Sequence, residues 1–282
     1  MSAIQNAMTV DVEDYFQVQA FASVVARSAW DDYPSRVARN TERILQIFAD
    51  GGVKATFFTL GWVAERHPAL IRRIVAEGHE LASHGYAHVR VGDQDKDAFR
   101  ADVARTKRLL EDTGGVVVRG YRAASFSIVK STLWALDILG EEGYAYSSSI
   151  YPIAHDHYGM PEAPRFRFHP NGNEFVEIPM TTFLLFGRKF PCSGGGYFRL
   201  LPYSISRAAL RRVNDGDGQA GMFYFHPWEI DVDQPRIQGA PLKSRFRHYV
   251  SLSRMEGRLR RLLKDFAWDR VDRVFLGGST AS

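Results

Sequence analysis

Apolar positions along the first half of the chain follow two periods that alternate. The run "AMTVDV" is short, β-prone and ends in carboxylates. In "SRVARNTERILQIFADGG" the residues Val37, Thr41, Ile44, Leu45 and Phe48 recur at helical spacing, and Gly51-Gly52 supplies a stop. "VKATFFTL" reads as a buried strand. "PALIRRIVAEGHE" reads as a helix opening on Pro68 and closing at Gly78. "ELASHG" is strand-like again, and "DKDAFRADVARTKRLLEDTGG" is a helix with Phe99, Val103, Leu109 and Leu110 on its apolar face. "VVVRGYRAA", "STLWALDILGEEG" and "YAYSSSI" continue as strand, helix and strand. Such short-period alternation predicts a parallel sheet or barrel of the α/β class. With no composition break and no repeat, one domain is expected over residues 1–282.

The pattern changes near residues 155–200, where Pro, Gly and aromatic residues dominate and an insertion of hairpins and loops is expected over the barrel mouth. "GQAGMFYFHPWEID" then restores a strand. Near 245–266 one amphipathic helix is expected, with Leu252, Met255, Leu259, Leu262, Leu263 and Phe266 on one side and Arg254, Arg258, Arg260, Arg261 and Lys264 on the other. It packs on the domain or, in the sharper reading, touches anionic lipid as a peripheral membrane contact.

Bulk numbers narrow this picture only slightly. The 282 residues carry a net charge of +4, too little to argue for nucleic acid. The single cysteine, Cys192, rules out an internal disulfide or a Cys-rich metal cluster. No apolar run approaches the roughly 18 residues of a membrane span. The start, "MSAIQNAMTVDVEDYF", does not read as a signal peptide, so the expected location is cytoplasmic.

In a barrel or open α/β sheet, chemistry collects at the C-terminal ends of the strands. Here those ends offer Asp11, Glu13 and Asp14; His84 with His88 beyond; Arg122; and His226 followed by Trp228. Taken singly, each has an ordinary structural explanation, such as a helix cap, a salt bridge or a satisfied core histidine. Jointly they suit one chemistry. Two imidazoles and a carboxylate make a three-ligand divalent site with open positions. A second carboxylate can then act as base and a further histidine as acid, which describes metal-assisted amide hydrolysis.

These motifs also resemble a known family. "TVDVEDYFQV", "SHGYAH", "GYRAASFSI", "YSSSIYPIAHDHYG" and "FYFHPWEID" are similar, in order, to segments of the polysaccharide deacetylases of carbohydrate esterase family 4, the NodB homology domain. They are closest to the branch associated with exosortase and exopolysaccharide gene clusters. The resemblance implies a distorted (β/α)7 barrel that removes N-acetyl groups from amino-sugar units of a polysaccharide and releases acetate. It implies a divalent metal, usually zinc and sometimes cobalt. By position it implies Asp11 as base, His226 as acid, Arg122 as the holder of the base, and His84 and His88 as metal ligands. The metal carboxylate is left between Asp14 and Glu13. Asp14 is favoured because its shorter side chain matches the family's usual ligand, although on a continued strand Glu13 would share a face with Asp11. Trp228, Tyr158 and Tyr197 are candidates to stack on sugar, Tyr197 following the pliant Gly194-Gly195-Gly196 run, and Ser125 lies in the substrate loop after Arg122. Where the family often has an aspartate that tunes the acid histidine, this chain has Ser147. Two other functions keep the fold: hydrolysis of a small cyclic amide or ureide, and non-catalytic sugar binding.

Overall fold

The computed structural model describes residues 4–155, 158–170, 172 and 174–277; Asp156 and His157 of the quoted "YSSSIYPIAHDHYG" segment lie outside them. In chain order the strands are β1 (Gln5–Val12), β2 (Thr56–Thr59), β3 (Glu80–Ser83), β4 (Gly120–Tyr121), β5 (Tyr146–Ser147), β6 (Val176–Glu177), β7 (Thr182–Leu185), β8 (Arg188–Pro191), β9 (Met222–Phe225) and β10 (Ala267–Asp269). The α-helices are α1 (Val37–Gly51), α2 (Gly61–Arg66), α3 (Pro68–Ala76), α4 (Lys96–Gly114), α5 (Trp134–Glu141), α6 (Gly195–Leu200), α7 (Tyr203–Arg211), α8 (Leu242–Tyr249), α9 (Leu252–Asp265) and α10 (Val271–Phe275).

Strands β1 to β6 pair in sequence and in parallel, and β9 pairs parallel to the other side of β1. These seven form the curled wall of the distorted (β/α)7 barrel. The short β10 continues that side by pairing with the start of β1. Between β6 and β9 the wall is closed by irregular chain: Met180 N–H donates to Ile150 O at 2.9 Å, and Met222 N–H to Thr181 Oγ1 at 2.6 Å.

The helices begin and end where local chemistry dictates. Asp95 caps α4 by accepting from Ala98 N–H at 2.8 Å, and α3 opens on Pro68. Helix α1 ends at Gly52 in the left-handed conformation (φ 64°), which a residue without Cβ adopts at little cost. Apolar side chains of α1, α9 and the outer face of β1 share one core; those of α4, α5 and their strands share another.

Period two along the strands decides what points inward. On β1, Met8, Val10 and Val12 join the outer core, while Ala7 joins the barrel interior with Phe58, Ala82, Tyr146, Met222 and Tyr224. Asp11 is in phase with Ala7, His84 with Ala82, and His226 with Met222 and Tyr224. Alternation thus delivers these three side chains to the C-terminal mouth of one barrel.

One expectation needs correction. The C-terminal helix is broken: α8 stops before Val250, and Ser251 takes a left-handed φ of 52° before α9 begins. The apolar side of α9 is spent on the core through Met255, Leu259 and Leu262. Two of its cations are tied internally, Arg258 to the carbonyls of Phe198, Arg199 and Leu201, and Arg260 to Glu256 and Asp50. The insertion holds a single antiparallel hairpin, β7–β8, among the described residues. Its foot meets Asp217 and the start of β9 through Arg165 and Thr181, and Tyr158 of the same insertion lines the cleft at the mouth.

Candidate active site and metal centre

A cleft of about 170 Å³ opens at the mouth, lined among others by Asp11, Glu13, His84, His88, Ser125, Tyr158, His226 and Trp228. Each wall is positioned by a short turn at a strand end. After β1, Glu13 N–H donates to Asp11 O at 3.0 Å; this tight turn brings Glu13 into the same cleft as Asp11. After β3, the "SHGYAH" segment is a braced loop. Gly85 turns it at φ 72°, and its carbonyl and that of Tyr86 receive the N–H groups of Gly61 and Trp62 at the start of α2. Arg27 bonds the carbonyls of Ala87 and His88, and His88 sits at φ 51°. The result is a return of His88 towards His84, with ring centroids 5.2 Å apart.

The ligand atoms of Glu13, His84 and His88 all lie within 4.8 Å of one another. Their environment fits a cation. No hydrogen-bond donor reaches the buried Glu13 Oε2, whose close neighbour is His88 Nε2 at 3.1 Å. Burial lowers the pKa of both histidines, that of His88 strongly, so they stay neutral with lone pairs to offer. His84 Nδ1 lies 2.8 Å from Arg122 O, which leaves Nε2 as the ligating atom. Burial, opposed by His226, raises Glu13 to about 7. A buried carboxylate oxygen that no donor reaches, beside two neutral imidazoles, is the chemistry of a cation-binding set.

Asp14, favoured from the sequence as the carboxylate ligand, is not part of this group. Its Oδ2 accepts from Ser35 Oγ at 2.9 Å and from the N–H groups of Arg36 and Val37 at 2.7 and 3.0 Å. Helix α1 begins with unpaired N–H groups, and Asp14 satisfies them from a distance in sequence. The carboxylate that groups with His84 and His88 is Glu13.

Asp11 and Arg122 form a buried pair, Nη1 to Oδ1 at 2.5 Å, and the same Nη1 bonds Thr9 Oγ1 at 2.9 Å. The guanidinium also donates to Ser148 O and Oγ, both at 3.2 Å. His226 Nε2 faces Asp11 Oδ2 at 3.9 Å and Glu13 Oε1 at 3.5 Å. Its Nδ1 lies 2.9 Å from Glu229 Oε1, and Arg199 Nε donates to the other oxygen of Glu229 at 2.6 Å. Burial opposes the charge on His226, but the Glu229 hydrogen bond and the carboxylates of Glu13, Glu229 and Asp11 outweigh it and raise the imidazole to about 9.

The substrate-facing expectations divide. Ser125 lines the cleft at φ 54°, with Phe126 next to it at φ 50°. Together with His88, they are three of the five non-glycine residues with left-handed φ among the described residues. Such conformations cost about 1–3 kcal/mol each and concentrate at functional sites. Trp228 lines the cleft but is no platform for a sugar. Its ring stacks on those of His226 at 5.1 Å and His248 at 4.0 Å, and its Nε1–H donates to Glu13 Oε1 at 3.3 Å. Tyr197 is half-buried on α6 and is not in the cleft lining, where Tyr158 is. The glycine run before it serves side chains of this chain: a Cβ on Gly195 would lie 2.1 Å from the Glu229 carboxylate oxygens, and one on Gly194 2.6 Å from the Tyr224 ring. Glu229 and Arg199 were missed from the sequence. The available signal was His226-Pro227-Trp228-Glu229, a proline at the first position of a turn and a glutamate at the third, where its carboxylate reaches back to the preceding residue.

Residues 23–144 match the family described as polysaccharide deacetylase, and residues 148–276 match one described as a domain of unknown function (DUF3473). His84, His88 and Arg122 fall in the first match, His226 and Glu229 in the second; Asp11 and Glu13 precede both. Over 98 residues the chain is 33% identical to the peptidoglycan-N-acetylglucosamine deacetylase of Bacillus cereus, a stretch that covers 34% of this chain and 36% of that protein. The match thus spans little more than a third of that relative's length. The fold is similar to that of a probable polysaccharide deacetylase from Pseudomonas aeruginosa PAO1 (TM-score 0.63, 18% identity, 96% of this chain and 90% of that one). It is also similar to that of PuuE allantoinase (TM-score 0.59, 15% identity, 96% and 89%).

Proposed function

We propose that this chain, whose residues 23–144 carry the match to the polysaccharide deacetylases, is a metal-dependent N-deacetylase acting on amino-sugar units of a polysaccharide. The observation that carries the reading is the meeting in one cleft of a Glu13–His84–His88 group, an arginine-bound Asp11 and a His226 whose Nε2 faces both carboxylates. The residues of this cleft come from both matched parts and from the segment before them, so we read the chain as one catalytic unit.

When bound by Glu13, His84 and His88, a divalent ion, zinc for this mixed nitrogen–oxygen set, supplies Lewis acidity and a water of lowered pKa. Asp11, held by Arg122, takes the proton of the attacking water as its oxygen bonds to the acetyl carbon. His226, with Nε2 facing into the cleft, gives a proton to the sugar nitrogen as the C–N bond breaks. Acetate and a free amine result. The cleft is smaller than the roughly 300 Å³ of a pocket that encloses a drug-sized ligand. It suits the acetamido group, with the polymer lying across the mouth.

The resemblance of the chain to the exopolysaccharide-locus branch supports an exopolysaccharide as the polymer. No helix of the described residues is long and apolar enough to cross a membrane; action at the cytoplasmic face is part of this proposal. The likeness to PuuE allantoinase supports one alternative, a small ureide. The deciding experiment is acetate release from N-acetylglucosamine oligomers and polymers, beside ring opening of allantoin, with and without added zinc. Zinc-dependent acetate release from oligomers is expected; turnover of the ureide alone would overturn the reading.

A further inference from the structure

The acid wall of the cleft contains more than an acid. His226 needs its Nδ1–H bonded so that the proton on Nε2 faces the leaving group. In this chain no help comes from β5: Ser147 Oγ bonds Ser149 Oγ at 2.7 Å, and Ser149 Oγ accepts from Ala123 N–H at 2.8 Å. The carboxylate that reaches Nδ1 is Glu229, three residues further along the same turn, at 2.9 Å. Glu229 is fully buried and fixed at both ends. Its Oε1 also accepts the His226 backbone N–H at 3.1 Å, and its Oε2 takes Arg199 Nε at 2.6 Å. The equally buried Arg199 is anchored in turn: Nη1 donates to the carbonyls of His248 and Val250 at 3.0 and 2.5 Å, and Nη2 to that of Arg247 at 3.1 Å. Gly195 provides the space, since a Cβ there would collide with the carboxylate. Nearby, Trp228 stacks on the rings of both His226 and His248.

We infer that Glu229, braced by Arg199 from the insertion, is the positioning residue that sets the tautomer and direction of the acid His226, in place of any carboxylate on β5. The inference rests on the deacetylase reading. It assigns a purpose to the segments after residue 190: α6 brings Arg199, the end of α8 brings the carbonyls that hold it, and both converge behind one imidazole.

A positioned acid matters in proportion to how poor the leaving group is. The amine of an amino sugar must be protonated to leave; 4-nitrophenolate need not be. Glu229→Gln keeps size and shape but offers Nδ1 an amide that can favour the wrong tautomer, the logic by which an Asp→Asn change disables a serine-protease histidine. In the zinc-loaded full chain, Glu229→Gln is expected to lower kcat for chitooligosaccharide deacetylation about 10²-fold, the lower end of what a positioned acid contributes. KM and zinc stoichiometry should stay within about twofold, and 4-nitrophenyl acetate hydrolysis within about threefold. Glu229→Asp, which keeps the carboxylate but draws it back, should recover part of the amide rate. Arg199→Lys, which keeps the charge but loses the fork, should fall between wild type and Glu229→Gln.

Amide hydrolysis by Glu229→Gln within threefold of wild type overturns the inference, as does an equal loss on both substrates. A wild-type protein inactive on every N-acetylated glycan fails the functional reading instead. In that case the ¹H–¹⁵N spectrum of the histidines still decides. A low-field Nδ1–H resonance of His226 that vanishes in Glu229→Gln upholds the positioning, and its absence from the wild type overturns it.

Discussion

The two walls of the cleft solve opposite problems. The wall of Glu13, His84 and His88 leaves ligand atoms unsatisfied: a carboxylate oxygen without a donor, two imidazoles kept neutral by burial, and a left-handed His88. The wall of His226, Trp228, Glu229, Arg199 and His248 is saturated. Rings stack face to face, and a chain of charge-assisted hydrogen bonds ends on backbone carbonyls. The first wall is incomplete without a cation; the second is complete without any ligand. A group that will bind must be kept short of partners, whereas one that will deliver a proton must have its other nitrogen fully committed.

The largest effect is expected where that incompleteness is removed. His84→Ala should abolish stoichiometric zinc binding and lower kcat for acetate release by about 10³-fold or more, the equivalent of several kcal/mol of lost charge stabilisation. Asp14→Asn should leave the metal in place. Its cost should fall on the start of α1, about 0.5–2 kcal/mol by chemical or thermal unfolding. Metal analysis of the two variants side by side checks the assignment, and loss of zinc in Asp14→Asn would return the ligand to the position favoured from the sequence.

Asp11→Asn tests the seam between the walls. It should bind zinc normally and lose about 10²–10⁴ in kcat as the base is removed. Because Arg122 is fully buried against Asp11, unfolding should also reveal a penalty, up to the roughly 3–5 kcal/mol seen when one partner of a buried ion pair is lost. Zinc loss in this variant would mean that base and ligand had been exchanged.

A smaller effect with an unusual sign follows from Glu13. Burial raises its pKa from 4.5 to about 7 in the metal-free protein. Between pH 4.5 and 7 the folded state therefore holds a proton that the unfolded state has lost, so this group lowers stability as pH rises through that window. The deficit is complete above pH 7 and amounts to roughly 3 kcal/mol. Metal-free Glu13→Gln should accordingly be more stable than metal-free wild type at pH 8, and about equal to it below pH 4.5, by urea unfolding. The same substitution should destroy metal binding. A residue whose removal stabilises the fold while ending function would mark the first wall as held against its own stability. Equal stability of the two metal-free proteins at pH 8 would show that Glu13 is solvated or paired after all.

How far the sequence reaches differs between the walls for physical reasons. Strand and helix periods carry most of the barrel, and period two is enough to send Asp11, His84 and His226 to one mouth. The choice between Glu13 and Asp14 was not legible, because it depends on α1. The first N–H groups of that helix, more than 20 residues away, draw Asp14 out of the cleft. Arg199 was hidden for a similar reason, since its partners are carbonyls of a helix end some 50 residues downstream. Strands β4 and β5, read as long runs, are two residues each, since the chain turns away once the side chains facing the site are delivered. The break between α8 and α9 falls within a continuous helical pattern and rests on backbone geometry at Ser251 that periodicity does not register.

The smallest expected effect concerns the rim. From the sequence, both Tyr158 and Tyr197 are candidates to stack on sugar, Tyr197 because three glycines precede it. Those glycines instead make room for Tyr224 and Glu229, and Tyr197 stands outside the lining of the cleft. Tyr158 is in that lining, stacked against His155 with ring centroids 3.9 Å apart. Burial first, and then the neighbouring Tyr197, raises its phenol pKa, so it meets substrate as a neutral hydroxyl and ring edge. Loss of one such contact made equally in ground and transition states changes KM and not kcat. Tyr158→Ala should therefore raise KM for an N-acetylated oligomer about five- to tenfold with kcat nearly constant. Tyr197→Ala should shift it less than about twofold, as surface substitutions within roughly 0.5 kcal/mol do. A larger KM effect from Tyr197 than from Tyr158 would move the sugar path off the mouth between the two walls and onto α6, and with it the division on which the comparison rests.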